Sequence, residues 1–252
     1  MLATLGCQRA GDVQWVASDQ VKQLDRKLQI VVQHELQQLC GSPSQPRLIG
    51  QDEKQLTSHL KHGAQIYQAR CAGCHGATGD GNGPAATYLY PRPRDYRHGV
   101  FKFTSTPYGA KPLRNDLVTT VKRGALGTSM PSFKFLAPSE IDAVVDYVLV
   151  LTHRGELETL LALEAESDDA IDSANAAGYV QELQTHWSRA NEQIVYPLSR
   201  ETPYTQASIE RGKQAFLSET AGCFKCHGNN GRGQADNVDG SQKVQRWGGR
   251  NV

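Results

Sequence analysis

Cys71-Ala72-Gly73-Cys74-His75 opens the stretch that decides the reading of this chain. Gly79-Asp80-Gly81-Asn82-Gly83-Pro84 follows, and Gly127-Thr128-Ser129-Met130-Pro131 closes the stretch. A second C-x-x-C-H stands at Cys223-Phe224-Lys225-Cys226-His227. With 6 Cys and 8 His in 252 residues, chance supplies about 0.004 copies of such a pentapeptide, so two copies are a signal. Two other uses of paired cysteines compete. A zinc ribbon sets its two pairs ~15–20 residues apart, whereas Cys71 and Cys223 are 152 apart. A thioredoxin-type pair sits in a βαβ setting, and nothing β-rich precedes either motif. Neither explains a histidine directly after both pairs.

C-x-x-C-H is the attachment signature of c-type haem. Two thiols bond the porphyrin through its vinyl groups, and the adjacent histidine lies under the iron. Cys71 and Cys74 with His75, and Cys223 and Cys226 with His227, are therefore two candidate haem c sites.

Composition is that of an ordinary soluble chain, 38% hydrophobic and 21% charged, with room for about two domains. A net charge of +1 argues against nucleic acid as a partner. No apolar run approaches the ~20 residues of a membrane helix. Met1 to Cys7 reads like the tail of a lipoprotein signal ending in Leu5-Gly6-Cys7, in which Cys7 would carry a lipid anchor. Its apolar stretch is shorter than the ~7–15 residues of a signal h-region, so an ordinary thiol at Cys7 stays open.

Apolar positions from Val13 to Leu39 recur every three or four residues, predicting one amphipathic helix stopped by the Gly41-to-Pro46 segment. Its apolar face lacks a basic rim, so the expectation is packing on the first haem domain, with Cys40 a buried thiol. A second helix runs from Asp52 to Arg70, bearing Leu56, Leu60, Gly63 and Tyr67 on one face. His59 and His62 on it read as solvated or capping histidines. Residues 91 to 134 carry a net charge of +7, and 155 to 188 carry −8 with no Lys or Arg. The basic face could pair with propionates or steer an acidic partner, while the acidic span could be a solvated helix, a tether, or a segment folded on that face. Phe101, Phe103 and Phe133 are candidate haem walls or plain core. Ser139 with Asp142 reads as the cap of a closing helix whose buried face is Ile141, Val144, Val145, Val148 and Leu151.

Residues 52–153 resemble a class I cytochrome c domain in the order of their parts: helix, C-x-x-C-H, glycine-rich loop, distal methionine, closing helix. The resemblance implies an all-α fold, with a glycine at the crossing of the first and last helices and an aromatic beside it, matched by Gly63 and Tyr67. It makes Met130 the second axial ligand opposite His75, and gives the carbonyl at Pro84 the Nδ1 proton of that histidine. Residues 205–252 resemble the opening of a second such domain, where Ile209, Gly212 and Phe216 repeat the Leu60, Gly63, Tyr67 spacing.

The organisation expected is then a signal remnant at 1–7, a helical extension at 8–51, and a first cytochrome c domain at 52–153. An acidic helical linker at 154–204 and the start of a second domain at 205–252 complete it. The whole resembles tandem dihaem cytochromes c, electron-transfer subunits of bacterial envelopes. That implies two covalent haems and redox protein partners in a membrane-associated complex, with a location in the periplasm or cell envelope. It makes an electron carrier more expected than a catalyst. A dihaem enzyme, peroxidase-like or thiosulfate-oxidising, is the alternative, with the second haem as its open site because no methionine follows His227. The second domain reads as truncated. A histidine ligand such as His186 or His153 is the competing account of its missing distal side.

Overall fold

Helix boundaries in this chain follow from which side chains capture free backbone N–H groups. The computed structural model describes residues 13–51, 53–196 and 204–231. Helix α1 (Asp19–Gln23) is capped by Ser18, whose hydroxyl accepts the Val21 N–H. Leu24 is extended, and the Asp25 carboxylate accepts the Lys27 N–H at 2.8 Å to open α2 (Arg26–Cys40). The single helix expected over 13–39 is therefore two, because a capping aspartate in its middle offers the backbone a better partner than the helix does. Gly41, at φ 74°, ends α2 and begins a two-residue antiparallel pairing, Gly41 with Pro46 and Ser42 with Gln45.

Helices α3 (Glu53–Arg70), α4 (Ala72–His75), α5 (Arg114–Arg123), α6 (Pro138–Asp168) and α7 (Ser173–Arg189) complete the first unit, which ends at Val195. Helix α6 starts one residue before the expected cap. Pro138 takes the first position, where a missing N–H costs nothing, and the Glu140 carboxylate accepts the Ala137 N–H at 2.7 Å. Asp142 is thereby free to bind Arg114 on α5.

Two cores lie along α6. Its first half crosses α3, burying Ala64, Ile66, Tyr67, Tyr96, Ala143, Val144, Tyr147 and Leu151. Gly63 makes the crossing close: a Cβ there would stand 2.0 Å from the Ala143 carbonyl oxygen. Tyr67 packs its ring 5.3 Å from that of Tyr147. Both residues thus meet the expectation placed on them. Leu117 on α5 packs with Ile141, Val145 and Leu149 on the neighbouring face.

The second half of α6 builds the other core, in which Leu157, Leu161, Ala162 and Ala165 meet Val21, Val32, Leu36 and Cys40 of the extension and Ala176 and Leu183 of α7. The boundary expected at 153 thus falls inside a 31-residue helix, and the extension and much of the acidic span form one helical annex. The acids do not prevent it. Glu158 pairs with Arg154 inside the structure and accepts the Ser18 N–H, while Glu164 accepts from Asn175 and from the Asp172 N–H. Cys40 is fully buried, and desolvation pushes its thiol up to about 12, which makes it inert.

The second unit starts at Tyr196. Its described part is α8 (Gln206–Leu217), capped by Thr205, and α9 (Cys223–His227). No residue of α8 is buried, Ile209 is 54% exposed, and Gly212 has no atom within 4 Å of a Cβ built on it. The Gly63-like spacing is present here, then, without a crossing helix among the described residues. The lipid-anchor reading of Cys7 and the expectations for residues 232–252 lie outside the described residues.

Candidate haem site

The first C-x-x-C-H is a continuation of α3. The Tyr67 carbonyl accepts the Cys71 N–H, and the Cys71 carbonyl then accepts those of Cys74 and His75, at 3.1 and 2.9 Å. One helical turn thus presents both sulfurs and the imidazole together. The thiols of Cys71 and Cys74 are free and half-buried, and burial pushes that of Cys71 up to about 12. Among the described residues no three His, Cys, Asp or Glu side chains converge as a metal cage requires.

His75 donates from Nδ1 to the Arg94 carbonyl oxygen at 3.1 Å, since a carbonyl can only accept. Its Nε2 has no partner among the described residues. Burial lowers its pKa, partly opposed by the Arg94 bond, so the ring is neutral with one lone pair free. That is the tautomer a haem iron needs from a proximal histidine, and such a carbonyl bond raises the donor strength of the ring. The residues present therefore fit haem c, with Cys71 and Cys74 as its covalent anchors. Haem would supply a one-electron couple.

The carbonyl expected to fix this ring was at Pro84, and here the expectation is corrected. Pro84 is exposed, and its neighbours spend their N–H groups elsewhere, Gly83 on the Cys74 carbonyl and Ala85 on that of Gly73. The 94–96 segment takes the place beside His75 instead. Tyr96 donates its N–H to the Gly79 carbonyl, and a side chain at Gly79 would strike the Tyr96 ring at 2.4 Å. The glycine loop thus admits a tyrosine. The Tyr96 ring lies 5.2 Å from that of His75, tilted by 36°, and its hydroxyl donates to that of Tyr67, which donates to the Gly76 carbonyl.

Met130 lies half-buried in a loop pinned to the end of α5. Its carbonyl accepts the Ala125 N–H, its own N–H donates to the Thr128 hydroxyl, and Ser132 donates to the Lys122 carbonyl. The basic face is less free than its charge suggests. Arg97 pairs with Asp95, Lys111 with Glu156, and Arg114 with Asp142 and Asp146. His59, expected as a solvated or capping histidine, joins that last network through Asp146 at 2.9 Å. Of the three phenylalanines, Phe101 is packed into the core beside Tyr96, Phe133 is half-buried, and Phe103 is 47% exposed.

The second motif has the same order on α9, entered through Gly222 at φ 63°. Cys223 is half-buried, Cys226 and His227 are exposed, and Phe216 lies 6.4 Å from the His227 ring. No described helix is long and apolar enough to cross a membrane.

Sequence reasoning missed the Arg94 carbonyl, because a backbone acceptor has no residue signature. It also missed the group around Trp187. Trp187 donates to Glu156 at 2.9 Å, lies under Lys111, and packs edge-on to a buried His153. His153 was a candidate iron ligand by position. The fold buries it between α6 and α7, with both ring nitrogens unpartnered.

A family-model match agrees with this geometry. A family model described as cytochrome c matches residues 60–152. No curated protein matches the chain. Among solved structures, a chain of the reducing HAO-like protein complex of Kuenenia stuttgartiensis is similar, at 24% identity and a TM-score of 0.47. The match covers 68% of this chain and 63% of that one, so this chain spans less than two thirds of its length. Helix, thiol pair, histidine and closing helix occur in the family's order and in an all-α fold. The chain carries a cytochrome c domain, a fold that binds haem c covalently.

Proposed function

We propose that the protein is a dihaem electron-transfer cytochrome c of the bacterial envelope, passing single electrons between protein partners. The observation that carries the reading is His75, neutral and bonded through Nδ1 to the Arg94 carbonyl, in the same helical turn as two free thiols. Cys71 and Cys74 anchor one haem with His75 and Met130 as axial ligands, and Cys223 and Cys226 anchor a second under His227. A thioether opposite an imidazole favours the ferrous state and leaves no open position for a substrate, which suits relay rather than catalysis. Covalent attachment supports assembly outside the cytoplasm, and Cys7 is the candidate lipid anchor there.

The test is a haem count and a redox titration of the full chain made in a host that matures c-type cytochromes. Two covalent haems and two one-electron couples are expected, falling to one of each in Cys223→Ala/Cys226→Ala. Met130→Ala should abolish the methionine-to-iron charge-transfer band and lower one potential. A band that survives the substitution removes Met130 from the iron.

A further inference from the structure

The rings beside His75 form a series of pairwise contacts. Tyr96 stands 5.2 Å from the His75 ring, Phe101 lies 6.2 Å from Tyr96 and nearly parallel at 7°, and Trp187 meets Phe101 edge-on at 6.4 Å. Every step is within the 4.5–7 Å range of aromatic rings in contact. Trp187 belongs to α7, outside the segment that matches the cytochrome c family model, and is half-exposed next to the exposed His186.

The path is held at each point. The 94–96 segment both accepts the His75 Nδ1–H hydrogen bond, at the Arg94 carbonyl, and sets the Tyr96 ring against the imidazole at a tilt of 36°. The turn after Tyr96 is clamped to α6, where a Cβ at Gly155 would stand 2.4 Å from that of Arg97. Trp187 is fixed on three sides, by Glu156 at its Nε1, Lys111 over its ring and His153 at its edge. Tyr96 cannot act by losing a proton. Its hydroxyl donates to Tyr67, which donates onward to a carbonyl, and burial holds the phenol well above its usual pKa. The rings serve as a medium for electronic coupling, with Tyr96 keeping its proton.

We infer that Tyr96, Phe101 and Trp187 form an electron route from His75 to a port on α7 at His186 and Trp187. This inference rests on the electron-transfer reading above and deepens it, placing an exit for electrons on the annex. One electron crosses the route to an external one-electron oxidant; no bond is made or broken, and no proton moves.

A ruthenium polypyridyl photo-oxidant bound to a surface histidine tests the route in the full haem-loaded chain. In one preparation His186 is the labelled residue, with the exposed His34, His62, His98 and His227 changed to Gln. In the other His62 on α3 is labelled, with His34, His98, His186 and His227 changed. Both carry Cys223→Ala/Cys226→Ala, so that only the first haem reports. Trp187→Leu should slow electron transfer to the His186 label severalfold and leave transfer to the His62 label unchanged. Trp187→Phe, which keeps a ring but not the bond to Glu156, should restore most of the rate, and the haem spectrum and potential should not move in either variant. Equal rates in Trp187→Leu at the His186 label would overturn the route. So would a loss common to both labels, which marks general loosening. If neither label draws an electron from the haem in the parent protein, the electron-transfer reading falls with it.

Discussion

Replacing Gly63 by Ala tests the crossing on which the first haem domain is built. In an open helix the change stabilises, because alanine loses less conformational freedom, by about 1 kcal/mol. At Gly63 the added carbon would lie 2.0 Å from the Ala143 carbonyl oxygen and 2.7 Å from its carbon. Both are backbone atoms and cannot swing aside. Carbon atoms meet comfortably at about 3.5–4.0 Å, so α3 and α6 must part by roughly an ångström or more. That parting loosens Tyr67, Tyr147, Ala143 and Val144, all essentially buried at this interface. Overpacking of this kind costs about 1–3 kcal/mol and sometimes more, and rigid backbone puts this site at the upper end. After the helical gain, a net loss of about 2 kcal/mol is expected, or a Tm lower by roughly 4–8 °C for a unit of this size. Gly178 on α7 has no atom within 4 Å and supplies the control, since Gly178→Ala should raise stability by up to about 1 kcal/mol. Thermal and urea unfolding of the haem-loaded chain, followed by far-ultraviolet circular dichroism, would measure both. A Gly63→Ala protein as stable as its parent would refute the close crossing.

His153 is buried without a partner and its pKa is lowered from 6.5 to about 4, so the unfolded chain binds its proton first as pH falls. The stability of the neutral ring is complete above pH 6.5 and is lost progressively toward pH 4, by about 3 kcal/mol. Urea titrations across that window should show His153→Phe losing this component, and an unchanged slope would count against the burial. The Arg154–Glu158 pair is 7% and 3% exposed, so Arg154→Leu should strand a buried carboxylate and cost about 3–5 kcal/mol. Arg154→Leu/Glu158→Leu should recover much of that in the same denaturation assay; a single variant within 0.5 kcal/mol of the parent, roughly the ordinary surface range, would mean the pair is solvated.

Local chemistry was legible in the residues themselves. Cys71, Cys74 and His75 must share one helical turn, because residues three and four apart face one another on a helix, and no later packing changes that. Gly63 and Tyr67 were readable for the same reason, their spacing being set by the helix that carries them. What tertiary structure decided were contacts between groups far apart in sequence and often without side-chain identity. The acceptor for His75 is a backbone carbonyl 19 residues away, at Arg94, which any residue could supply. Helix α6 runs through the expected domain boundary because Leu157, Leu161 and Ala165 find Val32, Leu36 and Leu183 to cover them, and charge counting along 155 to 188 could not show that apolar face. Trp187 came next to Phe101 and Glu156 only when α7 folded back on α6, a placement set by burial of the annex core and written in no local motif.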